Sequence, residues 1–157
     1  MKSPIYTYKK LNYLFEVHET FTAGIMLEGW EAKSLHEHGG NIETAYCTLK
    51  GNKFCLMNSK IMPQANHLLN DIVSVKESRD RVLLLNKSEI IKIQEKLATK
   101  GWTCIPSRLY RNDKHLWKID IALCTGKKNW DKREQLRKET QEKEIYNTIK
   151  NISKYSD

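Results

Sequence analysis

Apolar positions near the start of the chain alternate only in part. Phe15, Val17 and Phe21 are interleaved with Glu16, His18 and Thr20, so Tyr13 to Gly24 reads as a strand of mixed pattern. Leu27, Trp30 and Leu35 mark one side of a short helix between Leu27 and His38, stopped by Gly39 and Gly40 and weakened internally by Gly29. Thr44 to Leu49 and Phe54 to Asn58 are strand-like runs around Gly51 and Asn52, residue types that tolerate the positive φ of a tight hairpin. From Met62 to Asp80 the periodicity dissolves into Pro63, Asn66, Asn70, Asp71 and charged residues, which reads as a long loop.

Arg81 to Leu85 gives a short apolar strand. Asn86, followed three residues later by Glu89, resembles a capping box that opens a helix. Ile90, Ile93 and Leu97 share a face of that helix, with Lys100 and Gly101 at its end. A last hairpin runs from Trp102 to Tyr110 and from Leu116 to Leu123. In its second strand Trp117, Ile119, Ile121 and Leu123 alternate with Lys118, Asp120 and Ala122, so one face is expected in the core.

After Gly126 the composition changes: the segment to Asp157 carries 9 Lys and Arg against 6 Asp and Glu, with few large apolar groups before Ile145. Leu136, Ile145, Ile149 and Ile152 are too widely spaced to build a core, but the absence of Pro lets the segment become helical against a partner. The expected architecture is mainly β: a small antiparallel barrel of the oligonucleotide-binding (OB) kind over residues 1–125, with two or three short helices, followed by a basic tail over 126–157.

The chain has the length of one ordinary domain, 157 residues, and its 27 Lys and Arg against 19 Asp and Glu give a net charge of +8. A polyanionic partner follows, without a distinction among RNA, DNA and membrane. No stretch approaches the roughly 20 apolar residues that cross a bilayer, and the first residues lack a secretory apolar run, so a soluble cytoplasmic protein with no membrane partner is expected. Cys47, Cys55, Cys104 and Cys124 have no paired CxxC spacing, which argues against structural zinc and for reduced thiols. Across the Gly51–Asn52 hairpin, Cys47 and Cys55 fall on opposite sheet faces and cannot bridge.

Enzymatic readings find little support, with no Gly-rich phosphate loop, nucleophile elbow or supported acid pair. His36 and His38 diverge at i and i+2 on a helix and do not share a metal. No cofactor or metal is expected. Lys9, Lys10, Lys33, Lys118, Lys127 and Lys128 lie on separate elements and form one basic surface only if the fold gathers them. Tyr8, Tyr13, Trp30 and Trp130 are candidates for stacking on unpaired bases, with core packing an equal alternative for Trp30 and Tyr13. Glu31 repels phosphate and so does not serve general affinity. It accepts a hydrogen bond from a base, orients a nearby Lys or Arg, or is simply solvated.

Several ordered strings resemble the small protein B (SmpB) family of tmRNA-binding proteins. They are Phe21-Thr22-Ala23-Gly24-Ile25, Gly29-Trp30-Glu31-Ala32-Lys33-Ser34-Leu35, Leu83-Leu84-Leu85-Asn86, and Gly126-Lys127-Lys128-Asn129-Trp130-Asp131-Lys132-Arg133-Glu134. The resemblance implies an OB-type barrel that grips the tRNA-like domain of tmRNA. Carried over by position, it implies RNA-binding roles for Glu31, Leu84, Asn86 and Lys118, joined by Trp30 and Lys33 of the same string, with Leu84 acting through the packing of its strand.

It further implies a tail, disordered when free, that becomes helical in the empty decoding site and mRNA channel of the small subunit of the 70S ribosome. There Gly126, Lys127, Lys128, Trp130, Asp131, Lys132 and Arg133 would meet 16S rRNA, with Gly126 freeing the tail from the barrel. The implied function is non-catalytic: delivery of alanylated tmRNA, with elongation factor Tu and GTP, to stalled ribosomes, for rescue and tagging of incomplete proteins by trans-translation. The chain departs from the family pattern at Tyr8, at His36 to Gly39, and in the acidic stretch after Glu134. These departures leave a second reading, a ribosome-associated RNA-binding protein without tmRNA specificity. A third, an RNA-processing enzyme using Glu31 and the nearby histidines, requires RNA cleavage that Glu31→Ala abolishes.

Overall fold

The computed structural model describes residues 4–37, 39–62, 77–127 and 129–155. The elements are β1 (Tyr6–Thr7), α1 (Leu11–Leu14), β2 (Phe15–Ile25), α2 (Gly29–Glu37), β3 (Gly40–Asn41), β4 (Tyr46–Lys50) and β5 (Lys53–Met57). They continue as β6 (Lys60–Ile61), β7 (Arg81–Leu84), α3 (Lys87–Leu97), β8 (Trp102–Arg111), β9 (Trp117–Gly126) and α4 (Asn129–Tyr155).

Seven strands form one sheet in the order β1-β8-β4-β5-β7-β2-β9, and pairing of β8 with β9 closes it into a barrel. All strand pairs are antiparallel. Closure removes the open edges that would otherwise template association. Phe21, Ala23 and Ile25 of β2 meet Phe54, Leu56, Leu83, Ile119, Ile121 and Leu123 in the interior, together with Leu35 of α2 and Ile93 of α3.

The mixed pattern of β2 has a specific cause. Its register with β9 shifts between Val17 and Glu19. A one-residue slip moves every following side chain to the other face. Before the shift, Val17 opposes Cys124 and packs with Leu11, Ile105 and Ala122 in a small second cluster; after it, Phe21 opposes Ile121 inside the barrel. β8 has the same device between Pro106 and Arg108: Ile105 lies in the outer cluster and Leu109 in the inner core.

Several expectations need adjustment. Tyr13 and Leu14 belong to the helical turn α1, ahead of a strand that begins at Phe15. The two-residue strands β1, β3 and β6 are too short to leave a periodic signal. Most of the expected Met62–Asp80 loop, residues 63–76, lies outside the described residues, as does His38. Cys47 opposes Leu56 while Cys55 opposes Thr48, which puts the two thiols on opposite faces; all four cysteines are free and buried. The tail is the 27-residue helix α4. Lys, Arg, Glu and Gln are strong helix formers, and this length exceeds the ~12–15 residues that an isolated helix needs.

Candidate nucleic-acid interface

Glu31 is 0% exposed, and so is Arg81, which lies fifty residues further along the chain. The Glu31 carboxylate accepts hydrogen bonds from Arg81 Nε, from Arg79 Nη2 and from the backbone N–H of Glu28, the last at 2.8 Å. The contact with Glu28 is the reciprocal arm of an N-terminal cap and fixes the first turn of α2. Arg81 Nη1 donates to Ser59 O at 3.1 Å, to Ser59 Oγ at 2.8 Å and to Arg79 O at 3.1 Å, while Nη2 donates to Glu77 O at 3.1 Å. Burial pulls the Arg81 pKa below the ordinary arginine value, and Glu31 pulls it back. Ser34 of α2 donates to Met62 O. One buried carboxylate thus ties α2, the turn before β6 and the approach to β7 into a single unit. The geometry favours Glu31 as the group that orients arginines. Its oxygens are engaged inside the protein.

The other positions lie on the outer wall. Leu84 of β7 opposes Gly24 of β2, which opposes Lys118 of β9, which in turn opposes Tyr110 of β8. A Cβ on Gly24 would stand 3.3 Å from Leu84 Cβ, so glycine is what lets Leu84 lie across the strand. Leu84 is 56% exposed and does not pack its strand into the core, as an indirect role would require. Asn86 is exposed at the N-cap of α3, and its backbone N–H meets Glu89 Oε1 at 3.3 Å in the anticipated capping box.

Beside Lys118 stands a polar group that sequence reading missed. Asp120 Oδ1 accepts from Thr22 at 2.8 Å, and its Oδ2 accepts from Arg108 Nε at 3.1 Å. The Arg108 guanidinium lies 4.2 Å over the Tyr110 ring. The alternation of Arg108 and Tyr110 along β8 was the available signal, hidden by the register shift at Pro106.

Trp30 is half-buried and donates through its indole N–H to Glu28 Oε2. Lys33 is exposed on α2 near Arg111, His115 and Trp117. Lys127 lies at the opposite end of β9 from Lys118; its N–H meets Leu14 O at 3.1 Å, and its Nζ reaches Asn12 O near Lys9 and Lys10. The basic residues therefore divide between the two ends of the barrel. Gly126 is the last residue of β9, where a Cβ would meet nothing within 4 Å. Arg133 is exposed on α4. Lys128 lies outside the described residues, and of Trp130, Asp131 and Lys132 only the helical backbone is described. Among the described residues, no group of three His, Cys, Asp or Glu is placed to hold a metal, and no helix is long and apolar enough to cross a membrane.

Comparison with known proteins covers nearly the whole of this architecture. The family described as "SmpB protein" matches residues 5–151. A protein named SsrA-binding protein from Fervidobacterium nodosum is 38% identical over 93% of this chain and 96% of its own length. Another of that name from Pseudothermotoga lettingae is 41% identical over 91% of this chain and 92% of its own. A chain of the solved structure described as "tmRNA-SmpB: a journey to the center of the bacterial ribosome" superposes with a TM-score of 0.65 at 28% identity, covering 86% of this chain and 96% of that one. With matches spanning both barrel and tail, the chain belongs to the SmpB family.

Proposed function

We propose that this protein binds the tRNA-like domain of tmRNA through the barrel and the decoding region of a stalled ribosome through α4, acting in trans-translation by binding and not by catalysis. The observation that carries this reading is the outer row of Leu84, Gly24, Lys118 and Tyr110, flanked by Asn86 and Arg108. It combines an exposed apolar side chain, an aromatic ring and cations, the mixture that suits stacked bases beside phosphate. The SsrA-binding names of relatives matched along more than nine-tenths of the chain support the choice of RNA. Glu31, Arg79 and Arg81 hold α2 against the start of β7, which fixes the helix that carries Trp30 and Lys33 and the strand that carries Leu84.

The tail residues Lys127, Lys128, Trp130, Asp131, Lys132 and Arg133 would meet 16S rRNA of the small subunit. Residues 1–125 serve as the tmRNA seat and residues 126–157 as the ribosomal probe. The incoming ligand is alanylated tmRNA with elongation factor Tu and GTP, and the setting is the bacterial cytoplasm.

Filter binding to the tRNA-like domain against a tRNA competitor, run as a salt series, tests the barrel half of this reading. Wild type is expected to select the tRNA-like domain, and Lys118→Ala to weaken it with a salt slope reduced by about 1. Equal affinity of wild type for both RNAs would sink the tmRNA assignment in favour of a ribosome-associated RNA-binding protein without tmRNA specificity.

A further inference from the structure

Away from the outer row, a cleft of about 250 Å³ opens between α2 and the β8–β9 turn, lined by Ala32, Lys33, His36, Arg111, His115 and Trp117. Lys33 and His36 stand three residues apart on one side of α2. Arg111 is the last residue of β8 and the cross-strand partner of Trp117, which is 9% exposed and forms the floor. None of the six lining residues is acidic. The two permanent cations are donors only, and the imidazoles supply further N–H groups.

The turn that carries His115 is built to hold it there. His115 has φ of 62°, a left-handed conformation uncommon outside glycine. Asn112 sustains it: Oδ1 accepts the N–H groups of Lys114 at 3.1 Å and Leu116 at 2.9 Å, and the Asn112 carbonyl accepts that of His115 at 3.0 Å. Arg111 Nε donates to the backbone O of His115 at 3.3 Å, which ties the Arg111 side chain to the main chain of the turn. A non-glycine residue held in this region by surrounding hydrogen bonds is a feature that persists because the structure over-determines it.

We propose that this cleft seats a backbone phosphate of RNA, held by Lys33 and Arg111 with His36 and His115 closing over it. The ligand class follows from the lining: a donor-rich cleft without carboxylates matches a group that only accepts, and a phosphodiester is such a group. Its location follows from continuity, since Trp117 precedes Lys118 in β9 and the cleft therefore adjoins the proposed RNA face at the barrel rim. The inference rests on the RNA-binding reading and extends it to the far side of α2, with Arg111, His36 and His115 as additional contacts.

The test uses the full-length protein and two RNAs, the tRNA-like domain and a generic RNA hairpin. Arg111→Ala is expected to weaken both by roughly three- to tenfold and to lower the salt slope by about 1, while Arg111→Lys keeps most of the affinity. In parallel, the ring resonances of His36 and His115 are followed by NMR as the generic hairpin is added, with His18, which lies against Thr125 and Trp102, as internal reference. Selective movement of His36 and His115 supports the cleft. Resonances that stay fixed at RNA saturation, or wild-type affinity and slope in a correctly folded Arg111→Ala, overturn it. If wild type fails to prefer the tRNA-like domain but the two imidazoles still move with the hairpin, the tmRNA assignment falls and the phosphate seat stands.

Discussion

Glu31 is a buried clamp whose oxygens are engaged inside the protein, by the backbone N–H of Glu28 and by Arg79 and Arg81. Removing one partner of a buried ion pair strands the other charge, at a cost of about 3–5 kcal/mol. Glu31→Gln is therefore expected to lower unfolding free energy by about that amount in urea titrations, with any loss of RNA binding following the loss of fold. A variant of wild-type stability would remove the clamp from the account. Leu84 is the opposite case. Its exposed side chain predicts that Leu84→Ala changes stability by less than about 0.5 kcal/mol while reducing affinity for the tRNA-like domain. A large fall in melting temperature with unchanged affinity would reverse that assignment. From sequence and family resemblance Leu84 reads as a packing residue, and Glu31 as a base contact, an orienter of a nearby Lys or Arg, or a solvated helix residue; the structure exposes Leu84 and selects the second reading for Glu31. Which cations Glu31 orients was not readable, because Arg79 and Arg81, the partners that let a carboxylate be buried, follow a stretch with no periodicity.

Among the elements, legibility tracks length and turn chemistry. The β4–β5 hairpin was readable because Gly51, with φ of 63°, occupies the tight turn that its residue type favours. α3 was readable because its capping box and apolar stripe agree. Asn86→Ala at that cap should cost about 1 kcal/mol, seen as a shift in the urea midpoint. An unshifted midpoint would mean that Glu89 and solvent alone satisfy the first turn, and that any binding defect of the variant belongs to RNA contact. The register shifts in β2 and β8 were not readable. Each exchanges the inner and outer sets partway along a strand, and the resulting string resembles noise until the partner strand is known.

For the whole molecule, the buried thiols make stability depend on alkaline pH. Burial, reinforced by the charge of Cys104, pushes the Cys124 thiol up to about 12 from 9.0, and burial with a Cys104 contact raises Cys47 as well. The unfolded chain therefore releases protons that the folded one retains. Stability is complete below pH 9 and falls as pH rises from 9 towards 12, at up to about 1.4 kcal/mol per pH unit for each such thiol. Urea midpoints at pH 7.5, 9 and 10.5 would reveal the decline, and a flat profile would show that the thiols titrate alike in both states.

The attachment of α4 carries a mechanical consequence. At ~1.5 Å per residue its 27 residues form a rod of roughly 40 Å. The rod is anchored at its root, where Lys127 is bonded to Leu14 and Asn12 of the first helical turn. A tilt of about 10° there sweeps the far tip through roughly 7 Å, and the turn that holds the root ends one residue before β2 begins. A lever of that length makes a small rotation at the root a large displacement at the tip.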